Sequence, residues 1–485
     1  MWIAAILCML ALPAGAQHLL TMEKAMDIAQ ANSPNIRTSL MNLEQHKQLL
    51  IAQRASLKSR FSLDLSPLDY SKDRRFDNRL SQWYTNESFS SGGLFHVDQP
   101  ILLTDGVLSL NNRFLWQNNN SEIEGVKNNN KAFTNSLYLQ LVQPVFTYNT
   151  RKMALKKIEF DLENANIDYA LQRLNTEKLI TNQFYSVYMS QNNLDISREE
   201  LENAKKSHEI IKDKVEADLA AKDELFQAEL NLATARSTVE ENLASLEDAK
   251  DQLKKALGMD LNEELSVVAN IAVDSILIDE EKAITHGLGS RLELRQREIQ
   301  SELLEFQLIQ TKDDNKFKGQ ISLSLGLTGD DKQFGDIYNN ATQNPRVSIT
   351  LSVPIFDWGA NKARVRAQKI AMEMNDLNAH EERVDVELNI RQVCRNLQKL
   401  RTQIEIAAQN VTNAQLTYDL NQTRYREGDI TGMEMNQFQT QLSNKKMAYA
   451  QAQINYKIEL LNIKILSLYD FEKDVAIVPL EEFKN

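Results

Sequence analysis

The stretch Val347-Ser348-Ile349-Thr350-Leu351-Ser352-Val353-Pro354-Ile355-Phe356 alternates an apolar side chain with Ser or Thr until a proline breaks the run. Period two with one apolar and one small polar face marks a β-strand, because successive side chains point to opposite sides of the pleat. The proline ends it, having no N–H to give to a ladder. Neither glycine nor proline then falls between Gly359 and Gly428. Both are unfavourable inside helices, so this interval is free to form one long helix. From Ala360 to Glu427 such a helix would be roughly 100 Å long at about 1.5 Å per residue.

Apolar and small side chains recur through that helix at Ile390, Val393, Leu397, Leu400, Ile404, Ala407, Val411, Ala414, Tyr418, Asn421 and Tyr425. Steps that alternate three and four make a coiled-coil seam. A second seam runs through Leu225, Ala228, Leu232, Ala235, Val239, Asn242, Leu246, Ala249, Leu253 and Ala256 to a cap at Gly258. These helices alone suit a generic structural coiled coil.

The opening pattern has an earlier copy. Gln143-Pro144-Val145-Phe146 corresponds to Val353-Pro354-Ile355-Phe356 at an offset of 210 residues. The same offset carries Asp218 to Gly428, Glu224 to Glu434 and Gln227 to Gln437, and it brings Ile180, Val187, Leu194 and Leu201 onto the Ile390 seam. Further upstream, Glu23-Lys24-Ala25 matches Glu281-Lys282-Ala283 at an offset of 258. The two offsets differ by 48 residues, which places an insertion in the first copy, at about 69–131, where Asn, Ser and Gly are frequent. We expect an enlarged strand loop outside the cell there.

Alternation also marks Phe61, Leu63 and Leu65, then Leu137, Leu139 and Leu141, then Ile321, Leu323, Leu325 and Leu327. Each copy thus reads as helix, strand pair and long helical hairpin. The expected organisation is a signal peptide over 1–16, a first repeat over 17–276, a second repeat over 277–470 and a tail over 471–485. The segment 1–16 is uncharged and ends in small residues before Gln17, as a secretory signal does. No later run approaches the roughly 20 apolar residues of a spanning helix. In an exported chain the alternating strands suit a transmembrane barrel, although a soluble sheet packed on a helix shows the same alternation. Four strands cannot close a barrel, since about eight is the practical minimum, so the chain is expected to oligomerise.

Composition narrows the function. Acidic residues number 67 against 55 basic ones, a net charge of -12, which argues against nucleic-acid binding. After cleavage Cys394 is the sole cysteine, so no internal disulfide forms. The histidines, His18, His46, His96, His208, His286 and His380, include no pair at metal-ligand spacing, and no phosphate-binding loop or nucleophile elbow is present. His208 falls on the seam and reads as packing. No enzyme, metal or cofactor is expected. The aromatic residues Trp83, Tyr84, Phe114, Trp116 and Trp358 fit an interfacial belt or scattered loop positions equally well.

Leu20-Thr21-Met22-Glu23-Lys24-Ala25 with Asn32-Ser33-Pro34, the strand ends at Pro144 and Pro354 with Trp358-Gly359, and Arg424-Tyr425-Arg426-Glu427-Gly428-Asp429-Ile430-Thr431 occur in that order. Together they make the chain resemble the TolC-like outer-membrane efflux proteins over its whole mature length. The resemblance implies a mixed α+β membrane protein, a homotrimer with four transmembrane strands per chain, a twelve-stranded barrel and a periplasmic helical tunnel. It implies an exit duct of a tripartite efflux pump or type I secretion system. Its partners would be outer membrane lipid, a periplasmic adaptor (membrane fusion) protein and an inner-membrane pump of resistance-nodulation-division or ABC type. A structural envelope coiled coil or adhesin is the alternative.

The resemblance also assigns residues. The turns at Ala217 to Ala221 and Gly428 to Gly432 match the tips where adaptors dock, with Asp218, Leu219 and Ala220 in one and Gly428, Ile430 and Thr431 in the other. Tyr425 matches the gate tyrosine, whose hydroxyl bonds the acidic position matched by Glu224. Glu434 and Gln437 match the acidic positions ringing the constriction. This chain departs from the pattern at Gln437, which is not acidic, at Ile430 in place of a basic residue, and at Asp218 in place of glycine. Solvated helix surface is the alternative reading of Glu224 and Glu434.

Overall fold

The two glycine- and proline-poor intervals form the longest helices of the chain. The computed structural model describes residues 18–78, 81–123, 126–273, 276–339, 341–427 and 429–477; the expected signal peptide lies outside them. In chain order the first copy comprises β1 (His18–Leu20), α1 (Met22–Asn32), α2 (Pro34–Ser56), β2 (Arg60–Asp77), β3 (Gln82–Ile101), β4 (Gly106–Ile123) and β5 (Val126–Val145). It continues with α3 (Thr150–Glu216), α4 (Lys222–Leu257) and β6 (Leu265–Val267). The second copy comprises α5 (Glu280–Ser290), α6 (Leu292–Asp313), β7 (Lys318–Asp331), β8 (Thr342–Gln343), β9 (Arg346–Ser352), α7 (Ala360–Glu427), α8 (Gly432–Ser467), β10 (Tyr469–Asp470) and β11 (Val475–Ala476). Among the described residues no helix is long and apolar enough to cross a membrane.

The duplication is visible in the element ends. Helices α3 and α7 start 210 residues apart, and α4 and α8 both start and end 210 apart. Helices α1 and α5, each of 11 residues, are related by 258. The chain divides into two compact units. One, formed by residues up to 43 with 165–296 and 379 onward, holds two cores built from equivalent positions. Ala25, Ile180, Val187, Leu246 and Leu253 of the first core stand where Ala283, Ile390, Leu397, Tyr456 and Ile463 stand in the second. The seam is thus buried where the hairpins meet the short helices α1 and α5. The cap expected at Gly258 is present, with φ at 74°, a left-handed conformation that glycine adopts without strain.

The other unit, residues 44–164 and 297–378, contains one antiparallel sheet. Its order is β2-β3-β4-β5-β7-β9, and β8 pairs β7 beyond the end of β9. The expected loop at 69–131 is not a loop: β2 runs on to Asp77, β5 begins at Val126, and β3 and β4 are two added strands of 20 and 18 residues. The sheet therefore has seven strands, six of them seven residues or longer, rather than four, and a twelve-stranded count for three copies does not follow. Asn, Ser and Gly have low β-propensity, but pairing along the whole of β2 and β5 overrides it. The β2–β3 register shifts between Ser66 and Asp69, around Pro67, which cannot donate a ladder bond.

Register sorts the side chains. Leu63, Phe95, Leu110, Leu139, Leu325 and Val347 share one face with their alternating neighbours, while Ser62, His96, Asn111, Gln140, Ser324 and Ser348 share the other. On the polar face Ser62 Oγ and His96 Nε2 are 2.9 Å apart, and Ser109 donates to Asp98. On the apolar face Phe61, Leu63, Leu65, Val347 and Ile349 each remain more than half exposed.

Gly287 stands in α5 where α1 has Ala29, and a Cβ built there would lie 2.5 Å from Ile390 Cδ1. Gly287→Ala is therefore expected to destabilise the helical unit by about 1–3 kcal/mol through overpacking. Ile390→Val removes the obstructing methyl, so the double variant should lose less than the two single losses combined. Thermal unfolding of all three variants measures the difference; simple additivity would refute this packing account.

Candidate functional site

Helix α3 ends without a glycine. Asp218 takes the left-handed conformation itself, with φ at 58°. Asp and Asn tolerate this region better than other side-chain-bearing residues. Leu219 N–H then donates to Lys214 O at 2.7 Å, and Asp429 N–H donates to Arg424 O at 2.9 Å at the equivalent position of the second copy. Both turns are closed by the same helix-terminating bond. Gly428 lies outside the described residues.

The next helices start differently. Thr431 is the N-cap of α8: its N–H and hydroxyl lie 2.8 and 2.9 Å from Glu434 Oε2, and Glu434 N–H donates to Thr431 Oγ at 3.3 Å. This is a reciprocal capping box. The Thr431 N–H, and after it the Thr431 hydroxyl, hold the Glu434 carboxyl below the usual glutamate range. At the equivalent position α4 has Ala221, which has no side chain to cap with. Glu224, the counterpart of Glu434, is exposed and its carboxylate makes no hydrogen bond among the described residues.

Above the turns, a cavity of about 720 Å³ is lined by residues that include Ser207, Ile211, Glu224, Tyr418, Tyr425, Thr431 and Gly432. Tyr425 is half-buried, yet its hydroxyl is enclosed without a hydrogen-bond partner among the described residues. Lys214 Nζ lies 6.0 Å from its ring centroid. A Cβ on Gly432 would lie 3.6 Å from the Tyr425 hydroxyl and 3.4 Å from Ile211 Cδ1, so α8 begins close against α3 and α7. Burial, then Glu199 and Asp419, push the Tyr418 phenol up. An enclosed phenol without a partner carries a desolvation cost that an acceptor would remove.

The structure thus brings Tyr425, Glu224 and Thr431 together around one cavity. The expected bond from Tyr425 to Glu224 is not made within the chain. Glu434 and Gln437 are exposed, and Glu434 is held by its own cap. Asp218 and Leu219 are exposed and Ala220 and Ile430 half-buried at the turns. Sequence reading missed Met433, an exposed apolar residue of the cavity lining, whose counterpart 210 residues earlier is the charged Asp223. It also missed Lys214 and Arg424, although basic residues 210 apart were a readable signal.

The sequence profile described as "Outer membrane efflux protein" matches residues 109–259 and 283–466, most of both copies. The chain belongs to that family. This outer membrane efflux protein is an exit duct, a channel and not an enzyme, sited in the outer membrane and reaching into the periplasm. Solved structures share its fold. The CmeC outer membrane channel of Campylobacter jejuni aligns with TM-score 0.70 and 15% identity, over 92% of this chain and 85% of that one. VceC of Vibrio cholerae aligns at 0.66 and 13%, over 94% and 96%. The open state of the MtrE channel of Neisseria gonorrhoeae aligns at 0.60 and 13%, over 93% and 90%. No curated protein sequence matches this efflux protein significantly.

The capping box makes a testable difference between the copies. Thr431→Ala is expected to cost about 1 kcal/mol at the α8 start. Glu434 has a depressed carboxyl in the folded chain, so its contribution is complete above the unfolded glutamate value and is lost as pH falls through the folded one. Hydrogen-exchange protection in the first turn of α8, corrected for the intrinsic rate, should fall in that acid window for the parent and fall less for Thr431→Ala, which keeps the backbone N–H but loses the hydroxyl. Identical pH profiles would disprove the assignment.

Proposed function

We propose that three copies of the chain close one barrel in the outer membrane and one helical tunnel beneath it, forming a passive exit duct. The reading is supported above all by the amphipathic sheet, whose outer edges on β2 and β9 pair with nothing among the described residues. Lipid supplies no hydrogen-bond partner for an open edge, and six strands fall short of the roughly eight needed for closure. A second copy supplies what is missing. The turn residues Asp218, Leu219, Ala220, Gly428, Ile430 and Thr431 dock a periplasmic adaptor, which joins the duct to an inner-membrane pump of resistance-nodulation-division or ABC type. The pump selects the cargo.

The protein is expected to fractionate with the outer membrane and to extract in detergent as a homotrimer. Ile430→Asp should keep the trimer and lose adaptor cross-linking, because a charge replaces an apolar side chain at the docking turn. A soluble monomer in detergent-free periplasmic extract would sink the duct reading, and unchanged cross-linking would remove Ile430 from the interface.

Tyr425 and Glu224 hold the resting gate, with Glu434 and Gln437 lining the passage. Glu224 is suited to accept from Tyr425 because Ala221 leaves it uncapped, and the enclosed hydroxyl of Tyr425 lacks an acceptor. The bond forms when neighbouring copies bring the turns together. Three carboxylates around one axis attract divalent cations. In planar bilayers Tyr425→Phe should therefore raise conductance, and Ala221→Thr should do so too by drawing Glu224 into a cap of its own. Glu434→Ala should chiefly relieve block by divalent cations. If Tyr425→Phe and Ala221→Thr both conduct like the parent, the gate lies elsewhere.

A further inference from the structure

We infer that β3 and β4 are membrane-spanning staves of the barrel wall, so that each chain contributes six spanning strands and a trimer closes at eighteen. The inference rests on the trimeric duct reading above and adds the composition and width of the barrel. The first observation is register. Leu108 lies opposite Leu141 and Trp116 opposite Phe133, so the apolar face of β4 begins and ends level with that of β5. Either interval, eight residues, measures about 26 Å along a strand, which matches a lipid-facing band roughly 25 Å tall. On β3, Phe95 and Val97 lie within the band opposite Asn112 and Leu110, Ser91, Gly93 and Gln99 occupy its other positions, and Phe89 lies opposite Asn118 just past its outer end.

Aromatic rings bound this band at its outer end. Phe89 meets Trp116 edge-on at 5.7 Å, and Phe114 stacks on Phe133 at 6.2 Å. Rings at this level fit the girdle of a transmembrane barrel. The opposite face of β4 carries Ser109, Asn111 and Arg113. A guanidinium is costly against lipid and is accommodated on a water-filled side. The apolar face of β4 has one polar interruption, Asn112, flanked by Phe95 and Leu137, with its Oδ1 enclosed and unpaired among the described residues.

The second observation is the turn between β3 and β4. Asp105, 7% exposed, caps the start of α3: Oδ2 accepts from Thr150 N–H at 3.1 Å and from its hydroxyl at 2.7 Å. Oδ1 accepts from Arg151 N–H at 3.2 Å and from its guanidinium at 2.8 Å. Asn149 Nδ2 donates to Leu102 O at 2.6 Å. The turn is thereby fastened at the helical end of the sheet. A hairpin whose turn is tied there cannot be a loop on the outer surface; its strands must traverse the same span as β5. Burial raises the Asp105 carboxyl, but the bonds from Thr150 and Arg151 and the adjacent guanidinium outweigh it and leave the group below the usual range.

Barrel diameter grows roughly linearly with strand number, so an eighteen-stranded barrel is about half as wide again as a twelve-stranded one. The six added staves give the exit a wider polar lumen, suited to bulkier hydrated cargo than twelve strands pass.

The test uses the full-length trimer in vesicles of phosphatidylcholine and phosphatidylglycerol. In a Cys394→Ala background, Leu108→Cys, Ser109→Cys, Leu110→Cys and Asn111→Cys are labelled with a fluorescent maleimide, with Leu139→Cys and Gln140→Cys on β5 as reference. Brominated lipid is expected to quench the probe at 108, 110 and 139 several-fold more than at 109, 111 and 140. Alternation on β5 with uniform water exposure on β4 would overturn the six-stave barrel and leave the duct reading standing. No alternation on β5, or no trimer, would overturn the duct reading as well. Electron cryomicroscopy of the unmodified detergent trimer counts strands directly: eighteen supports the inference and twelve refutes it.

Discussion

Hydrocarbon offers a peptide group no hydrogen-bond partner, so a sheet that enters it has to be closed on itself. This requirement governs the rest of the molecule. The chain's sheet ends at β2 on one side and β9 on the other, and six strands are too few to curl shut. In the proposed trimer closure comes from other copies, and the apolar face that remains exposed on Phe61, Leu63, Val347 and Ile349 is covered by lipid. The strands must also be held in register at the helical end, where the Asp105 carboxylate does so by capping α3.

Duplication gives the two hairpins one geometry and two chemistries. Helix ends, turn-closing bonds and core positions recur at one offset, because both copies solve the same packing problem. A single side chain then separates their acidic residues. Thr431 captures Glu434 in a cap, whereas Ala221 leaves Glu224 free beside the enclosed hydroxyl of Tyr425. A small local difference thus gives different hydrogen bonding to carboxylates that the repeat makes equivalent. Asp218 shows the converse: its replacement of a glycine changes the residue type but not the turn.

Several features were readable directly. Heptad spacing located the seams now buried at Ile390, Leu397, Leu246 and Leu253, and the glycine and proline gaps located the long helices. Alternation found part of β2, β5, β7 and β9. What escaped was β3 and β4, together with the outer halves of β2 and β5. Runs such as Asn118-Asn119-Asn120 and Asn128-Asn129-Asn130 look like loop by composition. They are strands because they pair with each other where the β4–β5 ladder runs on past the apolar segments, and Asn118 to Asn120 also pair with β3. At the candidate site, the resemblance pointed to a bond from Tyr425 to Glu224; both line one cavity but are not bonded within the chain, and the unpaired phenol and the missing cap at Ala221 were invisible to pattern reading.

The division follows the range of the forces involved. Helix extent, seam, repeat and the alternation of the apolar strands depend on residues a few positions apart, and the amino-acid order alone specifies them. The number of strands, the faces they share, and which carboxylate is free depend on groups brought together from distant positions. Asp105 reaches Thr150 across 45 residues, and β5 pairs with β7 across the entire first hairpin. Such pairings are set by register and backbone hydrogen bonding in three dimensions, and they outweigh local propensity wherever a partner strand is in place.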